Sequence, residues 1–95
     1  MRAFETMYIL RPDLDEEAID AAVERFKSLI EDQGGTVENI DKWGKRRLAY
    51  EIEGCREGFY VLVHWQGDSA VSRELERVLK ITGEVLRHIN VRREQ

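Results

Sequence analysis

Only one cysteine, one proline and two histidines occur among the 95 residues of this chain, and each scarcity removes a class of function. The single Cys55 has no mate for an intramolecular disulfide, so a stapled secreted scaffold is excluded and a reducing cytoplasm is the simplest home. One proline argues against long linkers or disordered tracts. No uninterrupted apolar run approaches the length of a membrane span, and the amino terminus lacks the apolar core of a signal peptide. Positive charge is also short: 15 lysines and arginines against 19 acidic residues leave a net charge of −4. Neutralising phosphates requires clustered cations, so binding of nucleic acid by bulk charge is excluded and any such binding has to be local.

What remains is 42% hydrophobic and 36% charged, the composition of a soluble globular protein. Residues 1–95 are expected to form one domain, large enough to bury a core without metal or disulfide. The charges are unevenly placed. Asp13, Asp15, Glu16, Glu17, Asp20, Glu24, Glu31 and Asp32 share one segment, whereas cations gather at Arg2, at Lys42 to Arg47, and at Arg87, Arg92 and Arg93. The block Trp43-Gly44-Lys45-Arg46-Arg47-Leu48-Ala49-Tyr50-Glu51-Ile52 is the most informative of these. Leu48, Tyr50 and Ile52 alternate as in a half-buried strand, and Gly44 suggests a bulge just ahead of three adjacent cations. Like charges in a row add nothing to a core. They read either as a solvated edge that resists aggregation or as a phosphate-contacting patch, with Trp43 and Tyr50 available for packing or base stacking.

The periodicities give six elements. Residues 2–10 alternate Phe4, Tyr8 and Leu10 against Ala3, Met7 and Ile9, a strand covered on both sides and ended by Pro12. Asp13 or Asp15 caps a helix whose stripe is Ile19, Ala22, Val23, Phe26, Leu29 and Ile30, stopped at Gly34-Gly35. A strand runs from about Thr36 to Ile52, followed by a turn containing Gly54 and Gly58 and a strand Phe59 to Trp65. Ser69 and Ser72 are cap choices for a second helix carrying Val71, Leu75, Val78 and Leu79, which ends near Gly83. The last strand, Val85 to about Arg92, sets Val85, Arg87, Ile89 and Val91 against Leu86, His88, Asn90 and Arg92. This order, βαββαβ, is the α+β ferredoxin-like sandwich: a four-stranded antiparallel sheet with two helices on one face, the first and third strands central. It brings Arg92 and Arg93 beside Arg2.

The opening Met1-Arg2-Ala3-Phe4-Glu5-Thr6-Met7-Tyr8-Ile9-Leu10-Arg11-Pro12, the Trp43 to Ile52 block, Gly58-Phe59-Tyr60-Val61 and Val85-Leu86-Arg87-His88-Ile89 resemble the bacterial small-subunit ribosomal protein S six family, in order and through essentially the whole chain. The resemblance implies a ferredoxin-like fold, a structural role in the cytoplasmic ribosome, and binding to 16S ribosomal RNA in the central domain together with ribosomal protein S eighteen. Arg2, Arg46, Arg47, Arg87 and Arg92 are the expected RNA contacts, because an arginine fork suits phosphate oxygens and can read a guanine edge. The protein partner is expected on the sheet face away from the helices. Some members carry a longer acidic carboxyl tail; this sequence stops at Gln95, and any function of such a tail is expected to be absent or trimmed.

Other classes fit less well. An RNA-recognition motif shares the element order, but Glu57 precedes Gly58 and Tyr60 stands where its aromatic octamer needs a small residue. An acylphosphatase-like enzyme needs a phosphate cradle, and Arg11-Pro12-Asp13 supplies a lone cation without glycines. His64 and His88 lie in separate strands and read as packed residues, not bases. Cys55 reads as a free surface thiol in a turn. The carboxylates after Pro12 lack the alternating ligands and central glycine of a calcium loop. No catalytic residue, metal or cofactor is expected. A ligand-sensing dimer built on the same fold is a remaining alternative, since fold does not fix function.

Overall fold

A computed structural model describes residues 1–93; the expected carboxyl boundary of the domain at residue 95 lies outside the described residues. The elements are β1 (Arg2–Leu10), α1 (Glu16–Asp32), β2 (Thr36–Ile52), β3 (Cys55–Gly67), α2 (Ser69–Ile81) and β4 (Val85–Arg93). The sheet order is β2-β3-β1-β4 and every pairing is antiparallel, as the element order predicts. Local chemistry accounts for the boundaries. Asp15 accepts a hydrogen bond from the Ala18 amide at 2.8 Å, and Glu16 and Glu17 follow in the first turn of α1, where the helix dipole favours anions. Gly34 stops the helix at φ 93°, and the Gly35 amide closes on the Ile30 carbonyl at 2.8 Å. The cap of α2 is Asp68, which accepts from the Val71 amide, and neither of the expected serines. A carboxylate one residue upstream satisfies that amide, and Ser72 is turned to a different use.

One face of the sheet carries the main core. Phe4, Tyr8, Leu10, Val61, Val63 and Trp65 meet Val23, Phe26 and Ile30 of α1 and Val71, Leu75, Val78 and Leu79 of α2. Phe4 stacks on Trp65 at 4.5 Å, and Tyr8 meets Phe26 edge-on at 4.9 Å, geometries that aromatic quadrupoles favour. A polar chain crosses this core. The Trp65 indole N–H donates to Thr6 Oγ1 at 2.8 Å, Thr6 donates to Asn90 Oδ1 at 2.8 Å, and Asn90 Nδ2 donates to Ser72 Oγ at 2.7 Å. Burying those groups without partners would cost about 1–3 kcal/mol each, so the chain fixes how β3, β1, β4 and α2 sit together.

The opposite face holds a smaller cluster of Ile9, Leu48 and Leu86, with Ile52, Cys55 and Tyr60 packed against it. Three expectations change here. Gly58 lies inside β3 and not in a turn; the turn is the two-residue Glu53-Gly54 loop, with φ 47° and 80°, that joins Ile52 to Cys55. Cys55 opens β3 half-buried, 4.0 Å from an Arg11 guanidinium nitrogen, and is not a surface thiol. A register shift between Ile9 and Leu10 breaks the alternation of β4, so Val85 joins the main core while Leu86 joins Ile9 on the other face.

The Tyr8 hydroxyl is buried and finds no hydrogen-bond partner among the described residues. Burial raises its ionisation above the ordinary 10.0. A raised phenol favours the folded state at lower pH: above about pH 10 the unfolded chain ionises and the folded one does not, so stability falls by about 1.4 kcal/mol per pH unit. Tyr8→Phe is expected to leave neutral stability unchanged or raise it by about 1 kcal/mol, and to remove that alkaline slope, measured by urea unfolding from pH 7 to 11. A loss at pH 7 would mean the hydroxyl has a partner.

Candidate nucleic-acid interface

The β2–β3 hairpin extends past the helices and carries the basic block at one end of the sheet. Gly44 stands at φ 89° where the β2–β3 register shifts, the bulge its sequence position predicts. The bulge lets Trp43 stack on Tyr60, with ring centroids 6.4 Å apart and planes 9° apart, while its indole N–H donates to Asp41 at 3.1 Å. The Arg46 guanidinium lies over the same indole at 5.0 Å. Arg46 pairs across the ladder with Gly58, where an added Cβ would stand 2.3 Å from Ile9 Cγ2. The glycine therefore lets β3 and β1 approach beneath the arginine. Arg47 pairs with Glu57, and Lys45 with Phe59 on the helix side.

A second cation–aromatic contact lies close by. Arg87 of β4 sits over the Tyr50 ring at 5.2 Å and donates to its hydroxyl. It is placed there by pairing with Ile9, whose side chain joins Leu48 in the smaller cluster. Arg11, at the end of β1, braces the same end by donating to the Gly83 carbonyl at 2.9 Å and to Glu53 at 2.9 Å. Each cation–π contact contributes about 0.5–1 kcal/mol at an exposed site, enough to orient a guanidinium without neutralising it.

The other two expected contacts belong to the far end. Arg92 lies opposite Phe4 and Arg93 opposite Ala3, next to Arg2, as the strand order predicts. Arg2 donates to Ser69 Oγ at 3.1 Å at the start of α2. Arg93 approaches Glu5 at 4.0 Å on the opposite face, where Glu5 also holds His64 at 2.9 Å. From Arg87 to Arg92 is five strand residues, about 17 Å. The five arginines are thus two groups, Arg46, Arg47 and Arg87 at one end and Arg2 and Arg92 at the other. Tyr60 and Arg11 help build the first group; only the strand register reveals them. Acidic α1 lies on the other side of the sheet, tied to the hairpin by a Lys42–Asp20 ion pair.

No three His, Cys, Asp or Glu side chains converge as metal ligands among the described residues. Nor is any helix among them long and apolar enough to cross a membrane.

A family profile for ribosomal protein S6 matches residues 3–92. The chain belongs to the ribosomal protein S6 family. Small ribosomal subunit protein bS6 of Moorella thermoacetica is 53% identical over 95 residues, covering all of this chain and 97% of that protein. Its counterpart in Thermoanaerobacter pseudethanolicus is 55% identical, with both chains fully covered. The crystal structure of 30S ribosomal protein S6 from Thermotoga maritima superposes with a TM-score of 0.92 at 34% identity, covering 97% of this chain and 87% of that one. Membership makes this a protein of the small ribosomal subunit, at work on the cytoplasmic ribosome, and its relatives are ribosomal proteins, not enzymes.

Within this S6 fold the close passage at Gly58 supports Arg46. Gly58→Ala is expected to cost about 1–3 kcal/mol of stability in urea unfolding, because Ile9 and the strand backbone have to give way. Unchanged stability would show that β1 and β3 tolerate a methyl group there.

Proposed function

We propose that this chain acts as one domain over residues 1–95 and binds 16S ribosomal RNA in the central domain jointly with ribosomal protein S eighteen. The observation that carries the reading is the pair of arginine–aromatic contacts, Arg46 on Trp43 and Arg87 on Tyr50, at one end of a chain whose net charge is −4. A protein with that charge gains little from long-range attraction to RNA, so its own contacts have to be few and well placed. A basic partner then supplies the remaining neutralisation. Arg46, Arg47 and Arg87 form the principal RNA contact, and Arg2 and Arg92 a second one about 17 Å away.

The partner's seat in this reading is the helix-free sheet face. Ile89 and Val91 are 57% and 51% exposed there, beside the half-buried Met7 and Leu62 on the neighbouring strands. A contiguous apolar strip on an otherwise charged surface suits a protein interface.

The test is a gel shift with a central-domain 16S rRNA fragment, adding this chain alone, ribosomal protein S eighteen alone, or both. Strong binding is expected only with both. Reversing Arg46 and Arg47 to Glu is expected to cost no more than about 1 kcal/mol of stability, the worth of the exposed Arg46 cation–π contact, while weakening the joint complex at least tenfold. Tight binding by this chain alone would make it an autonomous RNA reader. Full assembly of the folded double variant would remove the pair from the interface.

A further inference from the structure

We propose that Tyr50 and Arg87 form a seat for one unpaired RNA nucleotide, the base stacked on the phenol ring and the phosphate held by the guanidinium. This rests on the RNA-binding reading above and assigns the end contact a chemistry. Tyr50 is 58% exposed, the most exposed aromatic among the described residues, and its ring is not absorbed by packing. Trp43 differs: Tyr60, Arg46 and Asp41 already engage its indole.

The backbone explains why Tyr50 stands clear. Between the pairs Arg47↔Glu57 and Ile52↔Cys55, β2 has four residues, Leu48 to Glu51, where β3 has only Arg56. The surplus arches out of the ladder and Leu48 anchors the arch in the smaller cluster. Tyr50 is left at the top, reaching β4. It also lines an open hollow of about 320 Å³ with Arg47, Leu48, Glu51 and Arg56. Glu51 is the one carboxylate in that hollow, and Arg56 pairs with it at 3.6 Å, so Arg47 leaves the hollow net positive.

Arg87 forms no ion pair among the described residues; its contacts are the Tyr50 ring and hydroxyl. A guanidinium resting on a neutral phenol keeps its charge for a phosphate oxygen. An exposed aromatic beside unneutralised arginines is the combination that binds splayed bases, since every base has a π-face and a duplex keeps its own stacked inside.

Stacking and phosphate contact respond differently to salt, which makes the seat testable. Binding of the central-domain 16S rRNA fragment in the presence of ribosomal protein S eighteen is measured across a salt series for the wild type, Tyr50→Leu and Tyr50→Phe. Tyr50→Leu is expected to bind about tenfold more weakly at every salt concentration with the salt slope unchanged, and Tyr50→Phe to match the wild type. Wild-type binding by Tyr50→Leu would overturn the seat and leave the RNA reading standing. A loss accompanied by a shallower slope would also overturn it, because Tyr50 would then only hold Arg87 in place. No RNA binding by the wild-type pair would remove both the RNA reading and the seat built on it.

Discussion

The pairing of β1 with strands on both sides is the constraint from which the other features follow. Because β1 lies between β3 and β4, its side chains alternate between two surfaces that both have to be useful. Phe4, Thr6, Tyr8 and Leu10 go to the helices, and Ile9 goes to the smaller cluster that supports the hairpin. Thr6 shows how tightly this is set. Its hydroxyl receives from Trp65 on one neighbouring strand and donates to Asn90 on the other, so a slip of either register by one residue would break a buried bond and expose the core face.

An S6 protein with a net negative charge poses a physical question that segregation answers. The acidic residues of α1 lie across the sheet from Arg46 and Arg87, which sit on the open side with Tyr60 and Ile9, so they solubilise one side without filling the other. Exposed ion pairs are worth about 0–1 kcal/mol, too little to commit a charge permanently. Arg46 and Arg87 rest on aromatic rings instead of carboxylates, which orders the guanidiniums and leaves them charged. The hairpin that holds them depends on glycines at two unlike positions: Gly44 for a positive φ and Gly58 for the close passage of Ile9.

Much of this was legible in the sequence, for identifiable reasons. Strong periodicity marks all six elements, and strand order follows from their sequence, so the central β1 and β3 and the proximity of Arg2 to Arg92 and Arg93 could be read directly. Gly44 announced its bulge. What could not be read depends on register. The shift between Ile9 and Leu10 moves Leu86 to a face that simple alternation denies it, and Gly58 looks like a turn residue until Ile9 is known to lie against it. Asp68 outcompetes two serines as a cap by position alone. That Arg87 joins the hairpin end through Tyr50, and so stands apart from Arg92 further along β4, could not be read either.

In the proposed complex the open sheet face meets the protein partner and the arginine groups at the two ends of the sheet meet RNA, with the hairpin end the principal contact, while the acidic helix stays in solvent. Side-chain oxidation by hydroxyl radicals, comparing the free chain with the chain bound to ribosomal protein S eighteen and the 16S rRNA fragment, tests this arrangement most directly. Protection is expected at Met7, Ile89 and Val91 on the open face and at Tyr50 at the hairpin end, with the exposed positions of α1 unchanged. Protection concentrated on α1, with Ile89 and Tyr50 as reactive as in the free chain, would contradict the arrangement.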